Sequence, residues 1–354
     1  MFLRERGFRV FVVPEAATIG WLNGCSPDDF SRPGCAETFQ DFVIATQISL
    51  ENSFFAYARS VGVKSVVLCD RGLMDGSAYV DESTWSNVLK RYSLDVISAR
   101  EGRYNAVFHL VTAADGAESF YSLSNNKGRS ENLEEAKVQD KKTQKAWSGH
   151  AHHVIIDNRH GRSFEKKMER LLSMLAVYVG LPSLHRGFHK YNLVTPPNLA
   201  LLPHVQIFDV EKIMLSDGVG SQRHANTSDQ VLYSFVRRRS QGGFHAYGLT
   251  TVKLLESGEK VELKQVISAR MYSILSNSAD PTRDVVKQRR YCFLWEQQSC
   301  HIYEYLEPNN GIWTLLCQSE GEPILPPFIN VGPLLPSSGG EFSSREISLK
   351  EKPC

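Results

Sequence analysis

Two periods of apolar and polar positions divide this chain. From Arg9 to about Leu184, short apolar runs alternate with longer stretches in which apolar residues recur at helical spacing. The short runs Arg9 to Val13, Ser65 to Cys69, Ala106 to Val111 and His153 to Ile156 predict strands. Helices are predicted over about Glu37 to Val61, Ser83 to Tyr92, Glu131 to Ala146 and Phe164 to Val179; in the last, Met168, Leu171, Leu172, Leu175 and Val179 form one apolar stripe. Such alternation predicts an α/β domain with a parallel sheet over residues 1–184. Residues 185–204 hold Pro196, Pro197 and Pro203, with Pro182 just ahead, and read as a linker. Beyond Val205 the period shortens to two. Runs such as "HVQIFDVEKIML", "VLYSFVRRRS", "FHAYGLTTVKLL", "VELKQVIS", "VVKQRRYCFLW", "CHIYEYLE" and "WTLLCQS" predict an antiparallel sheet or barrel over 205–335, with one short helix near Ala269 to Leu275. The polar end, residues 336–354, is expected to be disordered.

Length and composition agree with two domains: 354 residues, 42% hydrophobic and 22% charged. A formal net charge of +1 supplies no global attraction to nucleic acid, so any anion site must be local. The seven cysteines form no CxxC pair, which points away from a zinc module or disulfide framework and towards a reducing, cytoplasmic setting. No apolar run reaches the ~18 residues of a membrane span. The opening "MFLRERGFRVFVVPEAA" is interrupted by Arg4, Glu5, Arg6 and Arg9 and reads as a helix tail entering a strand, not as a signal peptide.

Specific chemistry concentrates first at "SVVLCDRGLMDGSAY", an apolar strand that breaks into Asp70-Arg71-Gly72. In nucleotide-binding α/β folds, an acid at such a strand end holds the Mg²⁺ shell while a GxxxxGK[ST] loop cradles the phosphates. An Asp in this position also serves as an ordinary cap or turn residue. Further on, Lys127, Arg129, Glu134, Glu135 and Asp140 occupy a charged segment that could close over phosphates as a lid, or form a solvated helix laced with charge pairs.

Taken together, "VVPEAAT", "DRGLMDGSAY", "RSENLEEAKVQDKKTQKAWSGH" and "IIDN" resemble the NadR and TRPL-translocation-defect type of P-loop ATPase domain, of AAA type, over about half the chain. The resemblance implies a nucleotide site for GTP or ATP with Mg²⁺. Asp70 would belong to the metal shell, Glu15 would lie near nucleotide or substrate, Arg71 and Arg129 would face phosphates, and Asp157 and Asn158 would lie near the base. The family pattern carries a phosphate loop, yet no GxxxxGK[ST] occurs in this sequence. The expectation is therefore a domain lacking its first strand and phosphate loop, through an N-terminally incomplete chain, a splice form or a degenerate, non-binding domain.

The second concentration is cationic. Period-two alternation places Arg237 and Arg239 on one strand face, Lys253 on the returning strand, and Lys287 with Arg289 on one face of a later strand, Arg290 on its other. Turned outward these cations only solubilise; turned inward they require carboxylates or a polyanion as counter-charge. "FDVEKIML", "FVRRRSQGGFHAYGLT", "VISARMYSIL", "DPTRDVVKQRRYCFLWEQQ" and "LPPFINV" resemble a CYTH-like, triphosphate-tunnel domain. The resemblance implies a β-barrel that binds phosphorylated ligands through Lys and Arg, and metal through an ExExK strand. Matched to Asp209, Val210, Glu211, Lys212 and Ile213, that strand carries Ile at the lysine position, while Tyr303 and Cys317 stand where acids are expected. Glu262 and Glu304 remain as compensating acids. The implied function is a nucleotide-binding regulatory protein whose second domain binds a polyphosphate or phosphoinositide at a peripheral membrane contact, in membrane-protein or vesicle trafficking. The rivals are a small-molecule kinase or NTP hydrolase, and a triphosphatase of the second domain.

Overall fold

The computed structural model describes residues 1–121, 132–158, 163–181, 188–216, 230–319, 321–336, 340 and 342–350. In chain order the helices are α1 (Ala16–Leu22), α2 (Cys35–Val61), α3 (Glu82–Arg91), α4 (Val96–Glu101), α5 (Leu133–Ala146), α6 (Phe164–Tyr178), α7 (Ala269–Ser276) and α8 (Ser344–Ile347). The strands are β1 (Arg9–Val13), β2 (Ser65–Cys69), β3 (Val107–Leu110), β4 (His153–Ile156), β5 (Phe188–Leu193), β6 (Gln206–Met214), β7 (Gln230–Gln241), β8 (Phe244–Leu254), β9 (Lys260–Ile267), β10 (Val286–Trp295), β11 (Gln298–Glu307), β12 (Trp313–Gln318) and β13 (Val331–Leu334). They divide between two compact units, Met1–Arg100 with Val111–Trp147, and Glu101–Leu110 with Ser148–Cys354.

In the first unit β1 and β2 pair in parallel, with Val13 opposite Cys69, so both strands end at the same edge. Helix starts are fixed by side chains: Asp81 accepts from Thr84 N ahead of α3, and Asn132 and Glu135 form a reciprocal capping box ahead of α5. The interior includes Val13, Ile44, Leu73, Trp85, Val88 and Trp147, each under a tenth exposed. Gly76 admits Trp85 against the backbone; a Cβ there would lie 2.7 Å from the indole ring.

The second unit contains the other parallel pair, β3 with β4. These two parallel ladders are separate, and no described strand pairs with both. Its main body is a nine-stranded antiparallel sheet in the order β13-β5-β12-β11-β10-β6-β7-β8-β9. The expected barrel does not close: β13 and β9 are left as the two edges. Period-two alternation specifies which face of a strand is buried, whereas closure depends on shear and tilt that no single strand encodes. Two segments depart from the expected linker and tail. Residues 188–193, ahead of Pro196 and Pro197, form β5 between β12 and β13. In the supposedly disordered end, α8 places Ile347 at 4% exposure against Val286 and Tyr305. One apolar residue in a polar segment is a weak signal, yet it is enough where a pocket exists to receive it.

One side of the large sheet carries an apolar core that includes Leu193, Tyr291, Phe293, Ile302, Leu315 and Ile329. The cysteines of the described residues are free thiols. No helix of the described residues is long and apolar enough to cross a membrane.

Candidate functional site

In the first unit the parallel pairing delivers Glu15 and Asp70 to the carboxyl ends of β1 and β2, where open α/β sheets place their ligands. Asp70 N donates to Val13 O at 2.9 Å, which ties the two strand ends together. Arg71 adopts a left-handed backbone at φ 71°, and its Nε lies 3.3 Å from Glu15 Oε1. Gly72 N donates to Asp75 Oδ2, and Trp147 Nε1 donates to Asp75 Oδ1, both at 2.8 Å. Below the turn, buried Gln47 reaches the Arg71 carbonyl at 3.4 Å and Glu51 at 2.8 Å.

Partial removal from water raises the Asp70 carboxyl above its ordinary range; Glu15 and Asp75 raise it further, and Arg71 opposes them. Burial disfavours the Arg71 charge, but Asp75, Tyr79, Glu15 and Asp70 outweigh it and push the guanidinium upward. Asp70 is thus an exposed carboxylate short of positive charge, which suits a hydrated divalent cation. Among the described residues no group of three or more His, Cys, Asp or Glu is arranged to hold a metal. A Mg²⁺ ion here would have Asp70 as its protein carboxylate, with nucleotide phosphates and water completing the shell.

Other expected nucleotide contacts are engaged elsewhere. Arg170 binds Asp157 through the carbonyl at 3.0 Å and the carboxylate at 3.1 Å, and Lys167 Nζ donates to Asn158 Oδ1 at 2.7 Å. Both residues therefore anchor α6 at the end of β4, within the second unit. Lys127 and Arg129 fall outside the described residues. Of the remaining lid charges, Glu134 pairs with Lys137 at 2.9 Å, Glu135 caps α5, and Asp140 accepts from Thr112 N at 3.0 Å.

The second unit separates the cations by register. Lys212 stands opposite Arg237 and Val286; two and four residues beyond Val286 on β10 come Gln288 and Arg290. Cys292 continues that face and pairs with His301, which pairs with Leu316, which pairs with Lys190. Lys190, Lys212, Arg237, Arg239 and Arg290 therefore share one face, since opposed and alternate residues project to the same side.

Glu101 compensates Arg239, both under a twentieth exposed at the side chain, and Arg239 Nη2 also donates to Gly149 O at 2.8 Å. Glu262, half-exposed on β9, pairs with Lys264 at 3.0 Å. For Lys190, Lys212, Arg237 and Arg290 no carboxylate lies within ion-pair distance among the described residues. Burial pulls Lys212 far below the ordinary lysine range, Arg290, Lys190 and Arg237 pull it further, and Glu262 on the same face opposes them in part. Lys190 is lowered to about 8 by burial and then Arg290. Arg237 is lowered by burial, then by Arg239 and Arg290. Opposite Arg237 stands Gly248, where a Cβ would meet the guanidinium Nη2 at 3.4 Å. The recess beyond is lined by Glu101, Tyr104, His150, Arg237, Arg239 and Lys264. Arg290 lies over the Tyr303 ring at 4.4 Å and donates to Gln288 Oε1.

Other expected ligand cations lie on the opposite face. Lys287 pairs with Glu307 at 2.8 Å and Arg289 with Asp209 at 2.9 Å, each pair half in solvent. Lys253 alternates with Thr251 and Leu249, away from Arg237. On the strand matched to ExExK, Asp209 and Glu211 face outward with Arg289 and Arg238, and β6 presents Phe208, Val210 and Lys212 to the cationic face. Glu304 is outward too, accepting from Tyr291, and Cys317 sits in the apolar core. Sequence reading missed Lys190, because β5 was hidden in a proline-flanked stretch, and Lys212, because a slip of one residue reverses a strand's faces.

Residues 2–166 match the family model described as AAA domain, which supports an AAA-type domain of the P-loop class over this stretch. No curated protein matches the chain. Among solved structures, the PH1819 protein from Pyrococcus horikoshii OT3 aligns at 11% identity and a TM-score of 0.27, covering 38% of this chain and 79% of that one.

Proposed function

We propose a protein with two anion-binding sites: an AAA-type domain that takes a Mg²⁺ nucleotide, GTP or ATP, beside Glu15, Asp70 and Arg71, and a nine-stranded sheet whose cationic face takes a phosphorylated polyanion. The observation that carries the second site is the set Lys190, Lys212 and Arg237, half-buried, with buried Arg290: they repel one another, no carboxylate pairs with them directly, and Glu262 and Glu101 offset the repulsion only in part. Such a set is costly to fold empty and is offset by a ligand that brings several negative oxygens. Non-bridging phosphate oxygens suit this geometry, since the ammonium groups and guanidinium forks donate in several directions.

The finer reading is a CYTH-like domain that recognises a phosphoinositide headgroup in a trafficking role. Its support is the cationic face together with the apolar Phe208 and Val210, which leave β6 no inward carboxylate for a catalytic metal. This favours binding over triphosphate hydrolysis.

Calorimetric titration of the full chain with tripolyphosphate tests the site, and ATP and GTP with Mg²⁺ test the first unit. Tripolyphosphate binding that weakens at least about tenfold in Arg237→Met is expected, since one charge-assisted contact carries about that much. Binding indifferent to Arg237 and Lys212 would refute the assignment. Soluble inositol polyphosphate and vesicles bearing phosphoinositide then separate a free anion from a lipid headgroup, and metal-dependent phosphate release from tripolyphosphate would restore the triphosphatase.

A further inference from the structure

The cationic face already has an occupant from its own chain. Lys190 Nζ donates to the Phe342 carbonyl at 2.7 Å, and Lys212 Nζ donates to Ser344 Oγ at 2.7 Å. The same two acceptors serve further donors: Tyr305 OH reaches Phe342 O at 3.0 Å, and Gln288 Nε2 reaches Ser344 Oγ at 3.3 Å. Two oxygens of one short segment thus stand where oxygens of an anion would meet the uncompensated lysines. We infer that residues 342–348 form an internal strap that competes with a phosphorylated ligand for the cationic face and is displaced when that ligand binds. The inference rests on the anion-binding reading of that face given above.

Three features make the strap a replaceable ligand and not a fixed part of the site. Its acceptors are a carbonyl and a hydroxyl, both neutral, so they satisfy donors without cancelling charge, whereas phosphate oxygens do both. Its hold at the cationic face is small, a single turn, α8, started by Ser343, whose Oγ accepts from Glu346 N at 3.2 Å, with Ile347 as its buried apolar residue; its firmer anchor lies at the far end, where Asp284 N donates to Ser348 O at 2.6 Å and Leu349 forms a β-bridge with Arg283. Its backbone is also held from the side by Arg283, which donates to the Arg345 carbonyl at 2.5 Å and to Ser348 Oγ at 3.1 Å. Arg283 lies on the loop ahead of β10, so this contact can hold the strap near the site after its two lysine contacts are lost. The strap therefore lowers the affinity of the face for weak or singly charged anions and leaves it open to polyanions that engage several cations at once.

Amide hydrogen exchange of the full chain, with and without saturating tripolyphosphate, reads the displacement. Protection of amides in 344–349 is expected to fall about tenfold on adding tripolyphosphate while β10 and β11 stay protected. Unchanged or increased protection there, with tripolyphosphate bound, overturns the inference. The full-length variant Ile347→Asp, which removes the apolar footing, is expected to bind tripolyphosphate about tenfold more tightly. Equal or weaker binding by a variant whose β7 and β8 amides remain protected also overturns it. If neither protein binds tripolyphosphate, the anion-binding reading fails and the strap inference falls with it; if both bind equally with the strap still protected, only the strap is wrong.

Discussion

Lys212 on β6 and Arg237 on β7 stand directly opposite one another in the antiparallel ladder, like charges on one half-buried face. Directly opposed cations are unfavourable in a sheet even in water, and more so where solvent screening is reduced. Stability and binding should therefore move in opposite directions when one is removed. Lys212→Met should raise the stability of the ligand-free protein by about 1–4 kcal/mol, the range for apolar replacement of unfavourably buried charge, and weaken tripolyphosphate binding. Urea denaturation with and without tripolyphosphate measures both; a variant that loses stability in its absence contradicts the claim.

The lysines also set a pH dependence. With Lys190 lowered to about 8 in the fold and an ordinary value of 10.5 when unfolded, the unfolded chain holds more protons between those values. Ligand-free stability should rise with pH across pH 8 to 10.5, and anion affinity should fall over the same interval as the ammonium charge is lost. Calorimetry at about pH 7.5, 8.5 and 9.5 checks the second trend; a flat profile excludes Lys190 from the site.

A separate dependence is expected in acid. Burial holds His153 and His301 below the ordinary histidine range, with neighbouring histidines adding to the effect at His153, and Arg239 and Arg290 at His301, which reaches about 3. Their lowered values mean that the unfolded chain takes up protons first, so the stability these two histidines contribute is fully present above about pH 6.5 and is lost as pH falls below it. Each contributes up to about 1.4 kcal/mol per pH unit. Urea midpoints of the full chain at about pH 7.5, 6.0 and 5.0 report this loss, and His301→Gln should flatten it.

The ion pair Arg239–Glu101 is fully desolvated, and Arg239 also lies over the Phe208 ring at 4.3 Å. Glu101→Ala leaves a guanidinium buried without its counter-charge and should cost about 3–5 kcal/mol. Double replacement by Arg239→Met and Glu101→Leu should recover most of that loss. Denaturation of the single and double variants gives the coupling; additive losses would mean the pair is not the cause.

At the turn after β2, Arg71 holds a left-handed backbone that suits glycine. Arg71→Ala and Arg71→Gly remove the same contact to Glu15, but the alanine form should be less stable by about 1–2 kcal/mol. Both should weaken Mg²⁺ nucleotide binding equally if the guanidinium faces phosphate, and thermal shift with ATP and GTP compares them.

Local pattern determined much of this protein. The strands Arg9–Val13, Ser65–Cys69 and His153–Ile156 and the long helices announce themselves by apolar period and caps, because each element's buried face is written in its own residues. The same alternation put Arg237 with Arg239 on β7 and set Arg290 on the other face of β10 from Arg289. Sequence could not say which of those faces would be enclosed, since that depends on strands far apart in the chain. Tertiary structure decided that Lys190, from a segment between prolines, joins Lys212, Arg237 and Arg290 on one face, while Lys287 and Arg289 meet acids in solvent. It also decided that Phe208 and Val210, not Asp209 and Glu211, face inward, because a single residue of register reverses every side chain on a strand.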